Sequence, residues 1–249
     1  MKIRFLFNIF GDYCIAVGDG VYKSIKDAGL ASKKGLLLCN GVSTDRFLNK
    51  CEVSAEEQKN LGISEDDMVF LLLGWSPVRK GVDIFLRAAI ELSSQYKHCR
   101  FLVVGTSETR EFVAQSMRKS SLADKFIRGI GPAENFSDLL KLTDVFVTAS
   151  RSEGFSYAVL EAMTAGKVVL SSDIAGVRET NGRSDGVWLF PTEDWKMLSG
   201  LMKKITQLQQ EERRLLGRAN SQYVIENHSL DQWSKAMGEV YKGLITRCV

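Results

Sequence analysis

No two cysteines in this 249-residue chain have the Cys-x-x-Cys spacing of a metal or redox site, and Cys14, Cys39, Cys51, Cys99 and Cys248 are odd in number and widely spread. That argues against a disulfide framework and a zinc centre, and leaves reduced thiols in a cytoplasmic protein as the expectation. Surplus charge is scarce too: 33 basic and 30 acidic side chains give a formal net charge of +3, interleaved along the sequence. Nucleic acid is therefore set aside as a partner. Long apolar runs are missing. The opening Ile3-Arg4-Phe5-Leu6-Phe7-Asn8-Ile9-Phe10 is interrupted by Arg4 and Asn8 and has no small-residue cleavage site. Neither a secretory leader nor a membrane span is expected, so contact with a membrane would be peripheral.

What is present is 45% hydrophobic and 25% charged, enough for one large or two modest globular domains. Short continuous apolar runs recur at Leu36-Leu37-Leu38, Val69 to Leu73, Phe101 to Val104, Val145-Phe146-Val147 and Val168-Val169-Leu170. Continuous rather than alternating runs fit parallel strands covered on both faces. Between the second and third, Val82, Phe85, Leu86, Ala89 and Ile90 keep the spacing of an amphipathic helix, which completes a βαβ unit. The alternation continues to Leu189-Phe190 and predicts a doubly wound α/β fold with ligands at the carboxyl ends of its strands.

After Pro191 the pattern is helical, with one stripe at Leu198, Leu201, Met202 and Ile205 and another at Trp233, Met237, Val240, Tyr241 and Leu244. Gln209 to Arg214 between them reads as a solvated junction. Near the start, Cys14 to Val17 reads as a strand, followed by Gly18-Asp19-Gly20 and a helix. A dinucleotide fingerprint needs a third glycine and a later acidic residue, so this glycine pair reads as an ordinary turn.

The chemistry concentrates in Ser152-Glu153-Gly154-Phe155-Ser156-Tyr157-Ala158-Val159-Leu160-Glu161, which places Glu153 on a strand-to-helix loop and Glu161 in the second helical turn. Gly154 lets a ligand approach the backbone, and Ser156 is placed to cap the helix. The amides of Phe155, Ser156 and Tyr157 would face an anion such as a diphosphate without a metal. A second strand-to-helix transition, Gly74-Trp75-Ser76-Pro77-Val78-Arg79-Lys80-Gly81, offers the point charge of Lys80 and the fork of Arg79 for phosphate oxygens. Taken singly, each motif is also compatible with a plain surface turn.

Taken together, Glu153 to Glu161 with Gly154-Phe155 and Ala162-Met163, the Arg79-Lys80-Gly81 turn and the Asn40-Gly41-Val42 corner with Phe47 resemble the group 1 retaining glycosyltransferases of GT-B fold. The resemblance covers roughly Cys14 to Ile245. It implies a Rossmann-like donor-binding domain over 35–227, a remnant of an N-terminal acceptor domain over 1–34, and a helix over 228–249 packing back toward the N-terminal side. It further implies a UDP- or GDP-sugar donor, a saccharide or lipid-linked acceptor in cell-surface polysaccharide or glycolipid synthesis, and retention of anomeric configuration. Lys80 and Arg79 would contact the diphosphate, Glu161 the ribose, and Glu153 the sugar, with a direct part in transfer. No cofactor and no metal is implied, and the sequence has no Asp-x-Asp motif.

The chain departs from the family pattern in two ways. Trp75 stands where many relatives have an arginine, and most of an acceptor domain does not precede Cys14. The catalytic histidine often supplied by that half has no counterpart in His98 or His228, both read as structural or surface residues. Two other readings therefore stand beside the enzyme: a non-catalytic nucleotide-sugar-binding module or donor subunit working with a separate acceptor-domain subunit, and a sugar epimerase of related architecture.

Overall fold

The structure, a computed structural model of the chain, describes residues 13–29, 35–48, 55–118, 125–132, 136–181 and 184–247. The opening run Ile3 to Phe10, Cys51 and Cys248 lie outside the described residues. In chain order, β1 (Cys14–Ala16), α1 (Asp19–Asp27) and β2 (Gly35–Leu37) precede the short helices α2 (Asp45–Leu48) and α3 (Ala55–Leu61). The main series follows as β3 (Met68–Leu73), α4 (Val82–Gln95), β4 (Cys99–Val104), α5 (Ser107–Met117), β5 (Ile127–Ile130), α6 (Phe136–Lys141) and β6 (Val145–Thr148). It continues through α7 (Tyr157–Thr164), β7 (Val168–Ser172), α8 (Ala175–Asn181), β8 (Val187–Phe190), α9 (Trp195–Thr206), α10 (Gln210–Asn227) and α11 (Leu230–Arg247).

Six strands form one parallel sheet in the order β5-β4-β3-β6-β7-β8, with Phe70 registered against Phe101 on one side and Val145 on the other. The order reverses between β3 and β6, and the helices that leave these two strands pack on opposite faces. On one face Phe70 and Leu72 of β3 meet Phe85 of α4 and Met202 of α9; on the other Val69 and Leu71 meet Leu160 and Met163 of α7. Both faces of β3 are thus buried, as its unbroken apolar run requires. Phe70 and Phe101 stack at 5.3 Å while Phe85 stands edge-on to Phe101 at 6.2 Å. Full burial of such a ring contributes roughly 1.5–3 kcal/mol.

Two elements differ from the sequence expectation. The run at Leu36–Leu38 does form a strand, but β2 pairs in parallel with β1 in a separate two-stranded sheet, and Leu37 is exposed. β5 was not foreshadowed: Ile127-Arg128-Gly129-Ile130 carries only two apolar side chains because it is an edge strand with a single neighbour, β4. The tract from Gln209 is the solvated helix junction expected, lying where α9 gives way to α10, with most of its side chains exposed. Gln209 caps α10 in a reciprocal box with Glu212, whose Oε2 accepts the Gln209 N–H at 2.7 Å.

The Asn40-Gly41-Val42 corner is tied to the α10–α11 junction. The Val42 amide donates to the His228 carbonyl at 2.8 Å and the Leu230 amide to the Val42 carbonyl at 3.0 Å. Among the described residues no helix is long and apolar enough to cross a membrane.

Where β3 hands over to α4, Gly81 precedes the helix with φ +64°, and a Cβ there would lie 2.0 Å from the carbonyl oxygen of Ala149 at the end of β6. Left-handed backbone and a blocked Cβ position act together, so Gly81→Ala is expected to cost at least ~2 kcal/mol. A urea melt checks this, with the midpoint falling at unchanged slope.

Candidate functional site

The loops that follow β3 and β6 meet at the point where the strand order reverses, the usual place for a ligand crevice in an open parallel sheet. The first is a compact turn: Lys80 N donates to Ser76 O at 2.8 Å, Gly81 N to Val78 O at 3.1 Å and Val82 N to Pro77 O at 2.9 Å. The second is fastened to it by the Arg151 amide, which donates to the Arg79 carbonyl at 2.8 Å. Three of the residues singled out in the sequence come together here.

Lys80 Nζ forms an ion pair with Glu153 Oε1, and Arg79 Nη1 lies 3.4 Å from Glu153 Oε2. The Glu153 side chain is only 9% exposed and Lys80 17%, while Arg79 remains half open at 48%. A third donor, unmarked in the sequence, is Ser150: its hydroxyl donates to Glu153 Oε1 at 2.8 Å. Ser150 is fully buried, its carbonyl accepts the Ser172 hydroxyl at 2.6 Å, and Thr148 Oγ1 lies 3.2 Å from its Oγ. A hydroxyl has one proton, so with Ser150 donating to the carboxylate, Thr148 donates to Ser150.

A cleft of about 450 Å³ opens beside this cluster. Arg79, Ser152, Glu153 and Gly154 form one wall, Ala175 and Gly176 at the start of α8 another, and Gly20, Val21 and Ser24 of α1 a third. α8 can lie this close only because position 176 is glycine, where a Cβ would sit 2.4 Å from the Glu153 carbonyl oxygen. Val21 passes 3.7 Å from the Cβ position of Gly154. Gly20 thus lines the cleft, a placement its reading as an ordinary turn did not foresee.

The remaining motif residues divide. Ser156 sits at the N-cap of α7, yet its side chain makes no capping hydrogen bond. The Phe155 ring packs toward the core, edge-on to Tyr157 at 5.3 Å and to His228 at 6.4 Å, and Phe155 does not line the cleft. Tyr157 is exposed. Glu161 does not line the cleft; it is half-buried on α7, where burial pushes its carboxyl up and the Arg46 charge opposes the shift. His98 is exposed, whereas His228 is buried between Phe155 and Tyr223 with Nδ1 unpartnered, and burial lowers its pKa. Among the described residues no group of three His, Cys, Asp or Glu is placed to hold a metal ion.

The family model described as "Glycosyl transferases group 1" matches residues 53–240. A lipopolysaccharide core biosynthesis mannosyltransferase of Rhizobium meliloti is 26% identical over 224 residues, covering 84% of this chain and 61% of its own length. An N,N'-diacetylbacillosaminyl-diphospho-undecaprenol alpha-1,3-N-acetylgalactosaminyltransferase of Campylobacter jejuni is 27% identical over 231 residues, covering 88% of this chain and 58% of its own. A crystal structure of an Anabaena protein in complex with UDP and glucose superposes with a TM-score of 0.83 at 15% identity, over 97% of this chain and 66% of that one. The chain therefore spans little more than half the length of the curated relatives it matches.

Arg151, two residues before Glu153, is the structural clamp of the site and carried no motif signal. Its guanidinium bonds Asp83 with two parallel contacts of 2.9 and 2.8 Å, reaches Glu193 at 2.5 and 2.8 Å, and donates to the Val78 carbonyl. Glu193 is held with φ 72°, the one left-handed non-glycine among the described residues. Burial works against the Asp83 carboxylate, but the hydrogen bonds and charge of Arg151 outweigh it and hold its carboxyl below the usual range. A depressed folded pKa gives stability that is present above the unfolded value of about 3.9 and lost as pH falls through the folded one. Arg151→Met is expected to cost ~1 kcal/mol near neutral pH, because the three groups are partly exposed, and to flatten the loss of stability below about pH 4. Denaturant melts of both proteins between acid and neutral pH measure this.

Proposed function

The chain belongs to the group 1 glycosyl transferases, and from that premise we propose that it carries the donor site of an enzyme moving a sugar from a UDP- or GDP-sugar to a saccharide or lipid-linked acceptor, with retention of anomeric configuration. The process is polysaccharide or glycolipid synthesis. Support for the donor and process comes from the mannosyl- and N-acetylgalactosaminyltransferase relatives and from the solved neighbour bound to UDP and glucose. The observation that carries the reading is the convergence of Arg79, Lys80 and Glu153 at the reversal of strand order.

In this reading Lys80 and Arg79 hold the diphosphate and stabilise the negative charge that grows on it as the sugar–phosphate bond breaks. The backbone from Gly154 to Tyr157, at the start of α7, supplies amide donors to the same group. Glu153 faces the sugar and offsets the positive charge developing at the anomeric carbon. Glu161, on α7 outside the cleft lining, is assigned to the ribose at the far end of the donor, where its carboxylate, partly withdrawn from water, would accept the two hydroxyl donors of the diol. Residues 35–227 form the donor-binding domain, 1–34 belong to the acceptor side, and 228–249 return toward it. Acceptor binding is assigned to surface beyond this domain, in the same protein or in a separate subunit.

Titration of the purified chain with UDP- and GDP-sugars, by calorimetry, tests the donor site. Lys80→Ala and Glu161→Ala are each expected to weaken binding roughly tenfold or more with little change in thermal midpoint, since each removes a hydrogen bond to a charged group. Unchanged affinity in both variants would overturn the assignment. Product analysis with an added acceptor separates the enzyme from a non-catalytic module, which binds without turnover.

A further inference from the structure

Glu153 engages the two cations proposed to bind the diphosphate. Its Oε1 is shared between Lys80 and Ser150, and its Oε2 faces Arg79. A cation saturated by a neighbouring carboxylate attracts a second anion less, and an incoming phosphate must take it from that carboxylate. We propose that Glu153 is the resident counter-ion of the phosphate turn, that the donor's diphosphate displaces it from Lys80 and Arg79, and that Ser150 is the positioning residue that holds the released carboxylate toward the sugar. This rests on the diphosphate reading of Lys80 given above.

The geometry favours an exchange over a collapse of the loop. Lys80 and Arg79 reach Glu153 through flexible side chains, whereas Ser150 is fully buried and fixed through its carbonyl by Ser172 and through its hydroxyl by Thr148. When the cations turn to phosphate, the hydroxyl remains and Oε1 keeps one fixed donor. The close packing of Gly176 on the Glu153 carbonyl holds the backbone of the same residue. Donor binding thereby converts Glu153 from a neutralised carboxylate into one free to meet positive charge on the sugar, and the cost of separating the pair falls on the phosphate-binding step.

UDP and GDP, which carry the diphosphate without the sugar, are the probes. Glu153→Gln removes the competing charge and keeps the shape, so both nucleotides are expected to bind about tenfold more tightly than to the wild type. Ser150→Ala leaves the carboxylate to the cations alone and is expected to weaken nucleotide binding about threefold, with Ser150→Thr restoring it; in the Glu153→Gln background the Ser150 effect should vanish. A purely structural serine would act alike in both backgrounds, and that result would overturn its positioning role. If Lys80→Ala weakens binding but Glu153→Gln leaves it unchanged or weaker, the counter-ion exchange is wrong while the diphosphate reading stands. If Lys80→Ala has no effect, or neither nucleotide binds to the wild type and Glu153→Gln, the reading itself falls and the exchange with it.

Discussion

One close backbone contact, Gly81 against the carbonyl of Ala149, sets the distance between the two loops from which the site is made. β3 and β6 are hydrogen-bonded neighbours, but their following helices pack on opposite faces of the sheet, so the loops would diverge unless something drew them together. Glycine in the left-handed region allows the turn before α4 to lie on the end of β6. Lys80 and Glu153 then meet although 72 residues separate them in the chain. The crevice follows from topology; its chemistry follows from how closely its walls approach.

Charge is arranged around that contact in two connected groups with different tasks. Arg151 binds Asp83, Glu193 and the Val78 carbonyl, a network that spans the loops after β3, β6 and β8 and fixes the turn carrying Arg79 and Lys80. Two residues along, Glu153 is surrounded by donors whose attachments differ: two flexible cations and one buried hydroxyl. The first group is paired internally, one guanidinium between two carboxylates. The second pairs one carboxylate with two cations beside the cleft, where Arg79 stays half open to solvent while Lys80 and Glu153 are largely covered.

Much of the sheet was legible because buried parallel strands must be apolar on both faces, as Val69 to Leu73 and Phe101 to Val104 are. β5 was not, since an edge strand tolerates Arg128 and Gly129, and β2 was legible as a strand but not in its pairing, because apolarity says nothing about which neighbour a strand finds. In the site, Arg79, Lys80 and Glu153 stood out by residue type next to glycine turns. Ser150, Arg151, Asp83 and Glu193 had no such mark; serine and surface-type charges are common in loops, and only their distances distinguish them. Phe155 belonged to the motif, yet its ring serves the core and its backbone the loop.

By itself the sequence determined the alternation of strand and helix, the glycine turns at strand ends and the kinds of charge placed there, because burial and backbone conformation constrain residue type locally. The tertiary structure decided which of those charges meet. Ion pairing depends on separations of a few ångströms between residues far apart in the chain, and these arise only when the sheet order, the opposed helices and the close packing of Gly81 and Gly176 have brought the loops together.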